Sequence, residues 1–384
     1  MILPSRHASR DGIAPEAQAA NAPLITILTS SFGGGHRMAA QSVAEALREE
    51  RPEWDIEVLD FFEHFVGRRL SQGVAWSYGW SARRAPFVYG GVYTTAQWVG
   101  ERPRLQGWMN RVGRRRLREY VRRRQPAAIV NTYPTPSAVL AALKRRGDAH
   151  TPSVTILTDW ASHSQWIHEG VELYLVAHEG LRDELVGLGV PAQRVRATGV
   201  PIRAGFTPRG VYPTHGPVLI TVGAHGMMRR AEALCRLVAE QAPRTVVVCG
   251  HDHSLRRRLE PLAATLGGRL QLRGFVEDIH RYYATASLFL GKPGGVTIAE
   301  AVAVGLPMVL YGAIPGQERA NERFVTEAGA ARAGKTATEA AATAAELMRH
   351  PEELARMAER ARALGRPNAA RDAAAAIVEL CEGR

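Results

Sequence analysis

The chain has 384 residues, 46% of them apolar and 22% charged, with a formal net charge of +12. That length exceeds what one compact core holds, and the composition excludes a fibrous or wholly disordered protein, so two globular domains are expected. No run reaches the roughly 18 apolar residues of a membrane span, no apolar stretch follows Arg6 to make a leader, and Cys235, Cys249 and Cys381 lack metal-ligand spacing, so a cytoplasmic, metal-free protein is expected.

Residues 1–22, rich in Ala, Pro and small polar residues, read as a tail outside the fold. Apolar, β-branched runs then alternate with helical periodicity. In a first half, residues 23–205, they predict strands at Leu24–Thr29, Ile56–Leu59, Ala128–Thr132, Val154–Thr158 and Leu173–Val176. After a stretch rich in Pro and Gly at Pro201–Pro213, a second half over residues 206–365 repeats the order. Its strands are Val218–Val222, Thr245–Cys249, Leu270–Leu272, Leu288–Leu290 and Met308–Leu310. A last helix, Asn368–Leu380 within residues 366–384, is expected to return to the first domain. This is the order of an α/β protein with two doubly wound parallel sheets, whose strand ends converge on a cleft between the domains.

The charge is concentrated. Between Phe61 and Gln125 stand fourteen arginines, no lysine and only Glu63, Glu101 and Glu119, a net of +11 that points to a polyanionic partner. Aromatic residues interleave with those arginines, including Trp76, Trp80 and Trp98 beside Arg83, Arg84, Arg102 and Arg104. That mixture suits a lipid interface better than nucleic acid. Leu105, Trp108, Met109, Val112, Leu117, Tyr120 and Val121 form an inner stripe behind the later arginines.

Several loops carry ligand-type chemistry. Gly33-Gly34-Gly35-His36-Arg37 joins the first strand to the first helix, so the backbone can approach a ligand and the helix start offers free N–H groups. His36 there is a candidate base, or else a polar cap of the turn. Lys292-Pro293-Gly294-Gly295-Val296-Thr297-Ile298-Ala299-Glu300 repeats the device in the second half as a cradle for a diphosphate, while Thr297 and Glu300 also fit a capping box. Gln317, Glu318 and Asn321 offer hydroxyl-binding groups at the neighbouring strand end. Gly223-Ala224-His225-Gly226 makes a third glycine turn, and Phe275, beside Val276, could flank a nucleobase or simply be core. In the first half, Thr158-Asp159-Trp160, with His163, Trp166 and His168, suits acceptor binding or proton transfer; a turn held by Asp159 is the plainer alternative.

Taken in order, GGGHR at Gly33–Arg37, NTYP at Asn131–Pro134, TDW with HxxW at Thr158–Trp166, TGVPI at Thr198–Ile202, GAHG at Gly223–Gly226, KPGGVTIAEA at Lys292–Ala301 and PGQE with Asn321 resemble the diacylglycerol glycosyltransferases of glycosyltransferase family 28. The resemblance runs from about Leu24 to Leu380, with Trp160 standing where many members have Phe or Pro, and arginines where relatives use lysine.

The resemblance implies a GT-B fold of two Rossmann-like domains and an inverting, metal-independent transfer of a hexose from UDP-glucose or UDP-galactose to diacylglycerol or a glycosyl-diacylglycerol. It implies no cofactor, since the UDP-sugar is a substrate, and a place on the cytoplasmic face of an anionic membrane. His36 is then the base, with Asp159 as a second catalytic candidate. The donor contacts it implies are Gly223, Ala224, His225, Gly226, Phe275, Val276, Lys292, Gly294, Gly295, Thr297 and Glu300, with Glu300 at the ribose and Gln317, Glu318 and Asn321 at the sugar. On the acceptor side stand Gly34, Gly35, Arg37, Asn131, His163 and Trp166. Rival readings are a UDP-sugar 2-epimerase, a transferase of N-acetylglucosamine to another lipid, and a non-catalytic, membrane-bound UDP-sugar sensor.

Overall fold

The structure, a computed structural model, describes residues 22–31, 34–67, 113–223, 228 and 230–383. The first domain runs β1 (Leu24–Thr29), α1 (Gly34–Glu50), β2 (Asp55–Asp60), a π-helical turn (Phe62–Gly67), α2 (Arg114–Arg124), β3 (Ala128–Asn131), α3 (Pro134–Lys144), β4 (Ser153–Ile156), β5 (Leu173–Leu175), α4 (Glu179–Gly187) and β6 (Val195–Arg196). Its strands are parallel in the order β2-β1-β3-β4-β5-β6. β1, β3, β4 and β5 are buried along their whole length, as strands of a parallel sheet with helices on both faces must be.

The second domain runs β7 (Val218–Thr221), α5 (Ala231–Gln241), β8 (Thr245–Val248), α6 (His253–Thr265), β9 (Leu270–Arg273), α7 (Ile279–Thr285), β10 (Leu288–Gly291), α8 (Gly295–Ala303), β11 (Met308–Tyr311), α9 (Gln317–Glu327), β12 (Ala331–Gly334), α10 (Ala337–Met348) and α11 (Pro351–Leu364). Its parallel order is β12-β11-β10-β7-β8-β9. In both sheets the order reverses beside the first strand, at β1/β3 and at β7/β10. A parallel sheet opens a crevice for a ligand at such a point. The ten strands expected from sequence are present. The sequence did not signal β6, only two residues long, or β12, whose Ala-Arg-Ala-Gly carries no apolar run.

The chain crosses between domains twice. After α11 it returns, and α12 (Ala369–Glu382) packs on α1, placing Ala373, Ile377 and Val378 in one apolar cluster with Ile25, Val43 and Leu47. The two crossings touch. Gly199 has φ +94°, and a Cβ there would lie 2.6 Å from Cβ of Arg366 and 2.9 Å from Cβ of Ala369, so only glycine lets the strands pass at this distance. Beyond it, Arg209 donates to the carbonyls of Val304, Ala286 and Gly305 at 2.8, 2.7 and 2.6 Å. The linker from that point is moored to the second domain.

In α2, Leu117 and Val121 are buried and the Tyr120 hydroxyl meets Thr26 Oγ1 at 2.7 Å, while Arg115, Arg118 and Arg122 are exposed. The helix thus turns its expected stripe inward and its arginines to solvent. Trp76, Trp80, Arg83, Arg84, Trp98, Arg102 and Arg104 lie outside the described residues. Among the described residues, no helix is long and apolar enough to cross a membrane.

Candidate active site

A cleft of about 310 Å³ lies between the domains, lined on one side by Gly34, Gly35, His36, Thr158 and Asp159 and on the other by Gly223, Phe275, Val276, Lys292, Gly294, Gly295, Thr297, Glu300, Gln317 and Glu318. Ala224, His225 and Gly226 are outside the described residues.

His36 is the second residue after Gly34 at the start of α1, and its ring reaches across the β1/β3 switch point. Nδ1 lies 2.9 Å from the carbonyl oxygen of Thr132 and 2.9 Å from Thr158 Oγ1. A carbonyl only accepts, so Nδ1 carries the proton and Nε2 is left with a lone pair. Burial pushes the imidazolium pKa down to about 4, against an opposing pull from the Thr132 carbonyl, so the ring is neutral at pH 7. Tyr133 stands edge-on to it at 4.9 Å.

Asp159 follows β4 and meets the other domain. Oδ1 accepts from Asn321 Nδ2 at 3.2 Å, whereas Oδ2 is buried without a hydrogen-bond partner among the described residues. Burial pushes its pKa up to about 6, the Asn321 bond opposing and the Glu318 charge adding. Asn321 does not line the cleft as a sugar contact. It is fully buried, accepts from the Trp160 amide at 2.8 Å and donates also to the Pro293 carbonyl at 3.2 Å, so its amide is spent on joining the domains. Trp160 Nε1 donates to the Gly295 carbonyl at 3.0 Å. A Cβ on Gly295 would come 1.8 Å from the Thr158 carbonyl. This glycine is therefore required where the two domains touch.

The capping box expected at Thr297 and Glu300 is absent. α8 starts three residues earlier than that motif implies, with Gly294 as N-cap and no side-chain cap, and Glu300 is paired instead with Arg203 at 3.2 Å. Burial lifts the Glu300 pKa to about 7, with Arg203 opposing. Lys292 pairs with Glu318 at 2.9 Å, and the second Glu318 oxygen accepts from the Ile314 amide at 2.8 Å. Gln317 reaches over the cleft and donates from Nε2 to His163 Nε2. Phe275 is 52% exposed, with His251 stacked on one face at 4.6 Å and 9°.

The remaining acceptor-side residues sit apart from the cleft lining. Trp166 and Asn131 are fully buried, the latter donating to the Val154 carbonyl at 3.3 Å, and Arg37 is exposed. Sequence reasoning passed over Arg203 and Tyr283, which line the cleft. For Arg203 a signal existed, a charged residue directly after TGVPI at the domain junction.

Two doubly wound parallel sheets facing a cleft at their switch points define the GT-B class of glycosyltransferases. Solved structures share this fold: a UDP-glucosyltransferase from Polygonum tinctorium (16% identity, TM-score 0.63, covering 96% of this chain and 100% of that one) and MurG of Acinetobacter baumannii (17%, 0.57, 95% and 100%). A UDP-N-acetylglucosamine 2-epimerase shares it too, at 15% identity and TM-score 0.55, covering 94% and 97%. The family model for monogalactosyldiacylglycerol (MGDG) synthase matches residues 36–202, and that for glycosyl transferases group 1 matches residues 211–364. The processive diacylglycerol beta-glucosyltransferase of Bacillus cereus is 30% identical over 323 residues, 80% of this chain and 81% of that one. That of Bacillus subtilis is 36% identical over 232 residues, 58% and 60%. The chain belongs to the diacylglycerol glycosyltransferase family.

Proposed function

We propose that this enzyme moves a hexose from a UDP-sugar to diacylglycerol or a glycosyl-diacylglycerol, with inversion at the anomeric carbon, at the surface of an anionic membrane. The observation that carries the mechanism is the fixed tautomer of His36, which lines the cleft and whose Nδ1–H is held by the buried Thr132 carbonyl. Nε2 takes the proton of the acceptor hydroxyl as its oxygen bonds to the anomeric carbon. The bond from that carbon to the diphosphate oxygen breaks, and UDP leaves with the electron pair. Backbone N–H groups at the start of α8 meet the charge that develops on the leaving diphosphate.

On the donor side, Phe275 and Val276 flank the uracil and Glu300 accepts from the ribose hydroxyls. Glu318, held by Lys292, stands with Gln317 at the sugar. Asp159, which lines the same cleft as His36, is the second candidate to take the proton. Exposed arginines of α2 adjoin the basic aromatic stretch, and together they would hold the enzyme on anionic head groups near its insoluble acceptor.

The test is product analysis with UDP-glucose, UDP-galactose or UDP-N-acetylglucosamine and diacylglycerol in vesicles. Glycolipid is the expected product. Free epimerised sugar would make the chain an epimerase, and donor binding without turnover would make it a sensor.

A further inference from the structure

Arg203 lies four residues past the Gly199 crossing, on the linker, and its guanidinium enters the donor domain. Nη1 donates to the Glu277 carbonyl at 3.2 Å and Nη2 to Glu300 Oε1 at 3.2 Å, while its carbon lies 6.0 Å from the Phe206 ring centroid. The pair is largely buried, with side-chain exposures of 26% for Arg203 and 7% for Glu300. Glu300 Oε2 makes no hydrogen bond among the described residues, and Glu300 lines the cleft.

A buried carboxylate is expensive unless a cation and a hydrogen bond hold it charged. Among the described residues, the titratable groups set against Glu300 are Arg203 from the linker and Tyr283 from α7, and Tyr283 is buried with its pKa raised well above 10, hence neutral. Among the described residues, Arg203 is thus the cation that favours the ionised form of Glu300. It fixes one carboxylate oxygen of a residue that lines the cleft. A planar guanidinium tied at two points does this better than an ammonium could.

We propose that Arg203 is a positioning residue that holds Glu300 charged and oriented to accept hydrogen bonds from the ribose of a nucleoside diphosphate. The proposal rests on the assignment of Glu300 to the ribose made above. It also gives the linker a part in donor binding, since the segment from Arg203 to Arg209 is moored to the donor domain and lies just beyond the crossing at Gly199.

Calorimetric titration of uridine and of UDP into the full chain, from pH 6 to 9, tests it with Arg203→Gln, Arg203→Lys and Glu300→Gln, each checked by thermal melting. In the wild type, uridine affinity should fall as pH drops through about 7, where Glu300 takes up a proton. In Arg203→Gln, uridine and UDP should weaken by the same factor, on the order of tenfold at pH 7, with the fall displaced to higher pH and affinity returning toward pH 9. Arg203→Lys should recover part of the loss. Weakened UDP with unchanged uridine would mean that Arg203 contacts phosphate directly and would overturn the proposal, as would a loss that does not depend on pH. Unchanged uridine binding in Glu300→Gln would remove the ribose assignment itself, an outcome distinct from failure of Arg203 alone.

Discussion

Asp159→Asn should make the protein more stable and less active. In the unfolded chain this carboxyl loses its proton near 3.8, whereas burial holds the proton in the fold until about 6. Between those values the folded state binds more protons than the unfolded one, so on this group's account stability falls as pH rises through the window. Above pH 6 the full penalty of the buried charge stands, about 3 kcal/mol for a difference of this size. Asparagine has no proton to lose, and its side-chain oxygen can still accept the Asn321 bond. The variant should therefore melt on the order of 5–10 °C above wild type at pH 8 and level with it at pH 3.5. Comparing variant with wild type at each pH cancels the opposite trend from His36, His163 and His168, whose pKa values are depressed to about 4. A variant less stable than wild type at pH 8, or a gain that does not depend on pH, would show that Asp159 is a structural turn residue and not a charge kept for function.

His36→Ala should lower turnover by roughly a hundred- to ten-thousand-fold while leaving UDP affinity unchanged, and near-normal turnover would move the base elsewhere. Gly295→Ala, whose Cβ would stand 1.8 Å from the Thr158 carbonyl, should lower turnover on the order of 10- to 100-fold with UDP affinity kept; full activity would mean the domains work farther apart. At saturating donor, the rate should rise with pH through about 6 as Asp159 ionises, His36 being already neutral above about 4; the limb should vanish in Asp159→Asn. Co-sedimentation with anionic vesicles should weaken with added salt and in a variant carrying Glu at Arg83, Arg84, Arg102 and Arg104; equal binding by both proteins would exclude that stretch as the membrane face.

Much of the fold was legible because its cause is local. Val218–Thr221 and Leu288–Gly291 are runs that no amphipathic helix would use, and glycine after such a run marks a strand-to-helix turn. β12 was not legible, because Ala331–Gly334 is a strand through its pairing with β11 and not through its own residues. The glycine loops of the site were found for the same local reason. What each polar side chain faces was not, since Arg203 and Glu300 are 97 residues apart, and Asp159 and Asn321 are 162 apart.

Thr297 and Glu300 show how a local rule fails. The capping box places a helix start at Thr297, but the chain there must pass beneath Thr158, which forces a glycine at 295, and α8 begins at that glycine instead. Glu300 is then one turn too deep to cap and is buried, where only a cation can keep it ionised. Asn321 follows the same logic at the domain contact. The position needs one acceptor for the Trp160 amide and two donations, to Asp159 Oδ1 and the Pro293 carbonyl, which an amide supplies and neither Asp nor Leu can. A sugar site could use the same amide. Which of the two it serves is decided by how the domains meet, and that is a property of the packed pair.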